Sequence, residues 1–134
     1  MKKLFFAISV AGLFGFANIA QAPENAPETA TVWQEMEAFH TVMSETWHPV
    51  EEGNYAPIRE RSGEMAEVAA AWKKSKIPAE YAAQKDIKKN LKELAEETAE
   101  LNKEIKAGIS DEEIKEELHE LHEIFHTIVG LCKE

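Results

Sequence analysis

Cysteine occurs once, at Cys132, so no disulfide can form within the chain. Its place on an apolar helical stripe predicts burial, with metal ligation or a bond between two chains as the other outcomes. Glycine and proline are sparse, at six and five in 134 residues. There is no glycine-rich phosphate loop, no Cys-x-x-Cys-His, no internal repeat and no alternating run that would make a strand. Positive charge is also in short supply. The chain holds 15 Lys+Arg against 25 Asp+Glu, a net of −10. Such a surface repels nucleic acid and anionic lipid, and favours cations or a basic partner protein. Ser44, Ser62 and Ser110 stand in no nucleophile motif, and Cys132 has no positioned base on its own face. Paired carboxylates carry no information in so acidic a chain. No enzyme is expected.

What is present begins with a leader. Met1-Lys2-Lys3 precedes an apolar run over residues 4–17, too short for a comfortable membrane span and shaped like a secretory signal. Ala20-Gln21-Ala22 has the small-x-small form of a cleavage site, although Pro23 follows it; cleavage after Ala17 or Ala20 fits as well. Residues 1–22 are therefore read as a signal peptide, 23–30 as a two-proline linker and 31–134 as one domain. No cysteine follows the apolar run to carry a lipid, and no second apolar stretch could span a bilayer. The expectation is an exported, periplasmic protein with no membrane anchor after signal removal.

The domain reads as helical throughout. From about Thr31, Val32, Trp33, Met36, Phe39, His40, Met43 and Trp47 share one face. Pro49 biases His48 away from helical geometry, so the helix is expected to end at His48 and residues 50–56 to form a turn or a loose helical turn. A second helix opens near Pro57, turns Ile58, Met65, Val68, Ala69 and Trp72 inward and ends before Pro78. In a third, Ile87, Leu91, Leu94, Thr98, Leu101 and Ile105 recur at spacings of four and three until Gly108 stops the helix. The fourth opens on Ser110, with Glu113 as capping-box partner, and carries Ile114, Leu118, Leu121, Phe125, Ile128 and Cys132 along one stripe. Four helices with short links predict an all-α, antiparallel up-down four-helix bundle, with the first and last helices as neighbours.

The histidines are clustered. His119, His122 and His126 lie on the fourth helix, and His40 and His48 on the first, which makes all five. His122 and His126 are one turn apart and can chelate one ion. His122 is nearest the apolar stripe and His119 furthest toward solvent. A histidine taken singly is a packing or surface residue; five on two adjoining helices ask for a common reason. The predicted site is a transition-metal centre of His48, His122 and His126, with His40 and Glu52 as neighbours. Glu51, Glu52 or Glu123 would complete the shell or hold a ligand's second nitrogen. Imidazole donors suit copper, zinc or nickel, and Met43, if close, would favour cuprous copper. Buffering, transport or sensing of an ion would all use such a site.

The stretches Trp47 to Ile58 and Leu121 to Cys132 resemble those of a group of small exported bacterial proteins. That resemblance singles out His48, His122 and His126 and implies no activity. The architecture is similar to the cytochrome c′ and soluble b-type cytochrome bundles, which hold haem between the first and last helices. A non-covalent haem b on Met43 or Met36 and His122, in a slot lined by Trp33, Phe39 and Phe125, is the alternative cofactor. The chain departs from cytochrome c′ in having no haem-attachment motif, and from the b-type proteins in having several histidines where they need one. A purely structural or interaction bundle, monomeric or homodimeric, is the third reading.

Overall fold

The computed structural model describes residues 32–132. The expected signal peptide and linker lie outside them. Four helices follow one another: α1 (Gln34–Glu51), α2 (Ala56–Lys74), α3 (Lys85–Ala107) and α4 (Asp111–Leu131), with a 3₁₀ turn at Ala79–Tyr81 between α2 and α3. No strand occurs among the described residues, and none of their helices is long and apolar enough to cross a membrane.

The α3 stripe packs as its spacing dictates. Ile87, Leu91, Leu94, Thr98, Leu101 and Ile105 are all buried, and the Thr98 hydroxyl donates to the Leu94 carbonyl, so no polar atom of that side chain is left orphaned. The helix closes at Gly108, whose φ of 89° is left-handed and is adopted without strain by glycine. In α4 the Glu113 amide donates to Ser110 Oγ at 3.2 Å and the Ser110 amide to Glu113 Oε2 at 2.9 Å. Both arms of the capping box are thus made, satisfying two donors that a helix start leaves free. Ile114, Leu118, Leu121, Phe125 and Ile128 are buried below it. Cys132 is half-buried rather than buried, because it caps the helix beyond its last turn.

Two expectations for α1 are corrected. The helix does not stop before Pro49 but runs on to Glu51. A proline in the last turn removes one helical hydrogen bond, and burial of Val50, 1% exposed, offsets that loss. The Glu52 amide then donates to the His48 and Pro49 carbonyls, and Asn54 to Pro49, before Gly53 (φ 87°) reverses the chain. The inward face is also rotated from the expected one. Phe39, Val42, Met43, Thr46, Trp47 and Val50 are buried, while His40 and Val32 are exposed. Val32 precedes the helix, so helical periodicity does not govern it.

On α2, Ile58, Ser62, Met65, Ala69 and Trp72 are buried and Val68 is half-buried. The Ser62 hydroxyl donates to Asn102 Oδ1 on α3 at 2.9 Å. The helices form one four-helix bundle in which α1 meets α2, α2 meets α3, α3 meets α4 and α4 returns to α1, around one continuous core. Cross-links mark which helix ends adjoin. The Trp33 indole, at the head of α1, donates to Ser75 Oγ at the tail of α2 at 2.8 Å. Arg59, early in α2, donates to Asp111 Oδ1 at 2.6 Å and to the Ile109 carbonyl at 3.0 Å, at the head of α4. Phe39 meets Phe125 at 5.8 Å between centroids, and Trp47 meets His119 at 5.6 Å. The early part of α1 therefore faces the late part of α4.

Candidate metal centre

Leu121 and Phe125 point inward from α4, which leaves His122 on the shoulder of the buried stripe and His119 and His126 beyond it. His122 is half-buried; the other two are exposed. From α1, burial of Met43 and Trp47 sets His40, Ser44 and His48 on the matching shoulder. Between the two helices lies a cleft of about 250 Å³ lined by His40, Met43, Ser44, Trp47, His48, His122, Phe125 and His126. Four of the five histidines share it.

Within the cleft, His122 Nε2 and His126 Nε2 stand 3.1 Å apart, their rings nearly perpendicular at 87°. An ion held about 2.0–2.1 Å from each nitrogen would see them at an angle of roughly 100°. That lies between square-planar and tetrahedral geometry, so copper, nickel and zinc are all compatible with the pair. Across the cleft His48 Nδ1 is 3.1 Å from Glu51 Oε2, one turn away. If Nδ1 carries the proton it donates to that carboxylate, and the Nε2 lone pair is the one left for a ligand role.

Trp47 packs under the α4 imidazoles, 5.3 Å from His122 at 23° and 5.6 Å from His119 at 31° between ring planes. His40 lies flat on Phe125 at 5.2 Å and 16°. This explains its exposure: it covers the core residue from outside instead of entering the core. Burial lowers the His122 pKa, and the neighbouring His126 and His119 act in the same direction against Glu123 and Glu51. These effects favour the neutral imidazole of His122, the form that binds metal.

The structure brings His40, His48, His122 and His126 to one cleft, with Met43 in its wall. It does not bring Glu52 there: that residue is exposed at the end of α1, and the carboxylate within hydrogen-bond distance of His48 is Glu51. The donors that converge within 4.8 Å of one another are His119, His122 and Glu123, a set sharing only His122 with the expected triad. The helical angle of His119 predicts a surface residue. It is exposed, but Trp47 holds its ring beside His122, and only a cross-helix contact could have shown that. No known protein family, curated protein or solved structure is significantly similar to the chain.

Proposed function

We propose that this protein is an exported, periplasmic transition-metal-binding bundle, a binding centre and not an enzyme, that buffers, carries or senses copper, zinc or nickel. The observation that carries this reading is the 3.1 Å separation of His122 Nε2 and His126 Nε2, a bite one ion can bridge. His48, oriented by Glu51, supplies the third imidazole from α1. His119 and Glu123 are an alternative completion, with His122 common to both sets. The reading assumes the antiparallel up-down arrangement. The contacts of Trp33 with Ser75, Ser62 with Asn102 and Phe39 with Phe125 support it, since each joins an early turn of one helix to a late part of the next.

Elemental analysis of the purified protein, followed by calorimetric titration with zinc, copper and nickel, tests the reading. Stoichiometric binding is expected, with His122→Ala weakening it by about a hundredfold or more and Glu51→Gln by about tenfold, the scale of a lost outer-shell partner. A loss in His126→Ala greater than in His119→Ala selects the set with His48; the reverse selects Glu123. Affinity should fall as pH drops through the ordinary histidine range near 6.5, because protons compete for the ligands. Binding unchanged in His122→Ala would refute the site.

Haem b on Met43 and His122 fits less well. The cleft of about 250 Å³ is below the roughly 300–1,000 Å³ of pockets for organic ligands, and Met43 is 1% exposed within the core. A Soret band on addition of haem, lost in His122→Ala, would reverse that preference.

A further inference from the structure

The acid surplus conceals an uneven layout. Residues 73–92 hold seven of the chain's 15 basic residues against two acids, Glu80 and Asp86. Five of these lysines wall a groove of about 440 Å³: Lys73 from the last turn of α2, and Lys85, Lys88, Lys89 and Lys92 from α3. All five are exposed. Of these five, only Lys92 is ion-paired with a described residue, Glu96 at 3.2 Å.

Two effects oppose this placement. Lysines at i, i+3, i+4 and i+7 share one helix face and repel one another. They also crowd the N-terminal half of α3, where the backbone dipole is already positive. Asp86 is the one acid in the first turn of α3, and its other acids, from Glu93 to Glu104, follow later, so the lysine run stands against the helix dipole. By contrast, α4 places Asp111, Glu112 and Glu113 in its first turn, where the dipole favours them. A bound anion would relieve both strains in α3. The aliphatic lysine stems form low-dielectric walls below the ammonium groups, which concentrate the field in the groove.

We propose that this groove binds a phosphate-bearing anion, presented as an anionic phospholipid headgroup or as a free oligophosphate. Ammonium groups bind phosphate as point charges, and the groove volume lies within the range of small-ligand pockets. An extended polyanion such as nucleic acid would meet the acidic remainder of the surface; a compact anion, or a flat membrane touching this end, would not. The site is separate from the histidine cleft, which α1 and α4 build, and stands without it. It also refines the expectation from net charge that anionic lipid is repelled.

The test compares the full chain with two triple variants of equal charge change, Lys85→Gln/Lys88→Gln/Lys89→Gln in the groove and Lys103→Gln/Lys106→Gln/Lys115→Gln away from it. Both are checked for helicity by circular dichroism. Each is titrated with tripolyphosphate and floated with phosphatidylcholine vesicles with and without phosphatidylglycerol. The parent should bind one or both anions. The groove variant should weaken binding by about a hundredfold, at roughly fivefold per ammonium, while the distal variant stays within about threefold. Tripolyphosphate binding identifies a free anion as ligand; binding to anionic vesicles alone identifies the headgroup. The proposal fails if the parent binds neither, if both variants weaken alike, or if vesicle binding survives the groove substitutions.

Discussion

Glu117 and His122, five positions apart on one helix, are shifted in opposite senses by their surroundings. Burial raises the Glu117 pKa to about 7, helped by a side-chain hydrogen bond and the charge of Glu104 on α3, then by Glu120 and Glu97. Glu104 Oε2 lies buried with no hydrogen-bond partner, so the two carboxyls that meet there disfavour carrying both charges. A folded-state pKa above the ordinary carboxylate value means that the fold retains a proton the unfolded chain releases. The resulting stability is fully present below the usual value near 4.5 and is lost as pH rises through about 7. Glu117→Gln should therefore raise the melting temperature at pH 8 by a few degrees, roughly 1 kcal/mol or less after solvent screening. At pH 4 it should change little. Equal shifts at both pH values in thermal melts would show that the pair does not couple. In a chain with so many acids this pair carries no mark in the sequence, since only the meeting of two helices selects it.

Among the elements, α3 and α4 were legible and α1 was not fully so. The stripe of α3, the glycine that ends it and the Ser110 box are local signals, complete within a few residues of chain. The box also holds the Glu113 carboxyl below the usual range, through the Ser110 amide and then its hydroxyl. Ser110→Ala should cost about 1 kcal/mol, lowering the melting temperature by about 4–8 °C; a scanning calorimetry trace unchanged from the parent would contradict it. At Pro49, near the end of α1, a local rule meets a tertiary one. Proline weakens the last turn, but Val50 reaches the core only if the turn is kept. The continued helix places His48 and Glu51 three residues apart on a shared face, so the same feature supplies the cleft with its oriented imidazole. Glu51 is one of three carboxylates that the sequence offers for a ligand's second nitrogen, and the continued helix is what selects it for His48.

For the whole molecule, the neighbourhood of α1 and α4 was foreseeable from four helices with short links, and the histidine cleft follows from it. Ring orientations and the Trp47 stack were not foreseeable, since they depend on rotation of each helix within the bundle. The core closes on side chains such as Leu94, which has no exposed surface. Leu94→Ala should cost about 2–5 kcal/mol, seen as a lower denaturant midpoint with helical circular dichroism retained in water. The aromatic layout has a further consequence. Trp33 and Trp72 meet edge to face at 5.7 Å inside the core, whereas Trp47 alone of the three lies against imidazole rings. An excited indole gives up an electron to a protonated imidazole, so Trp47 emission should dim on acidification while the other two report only unfolding. Trp47→Phe should abolish that acid quenching before any melting begins. The molecule thus carries an optical indicator beside its histidines, readable without a label.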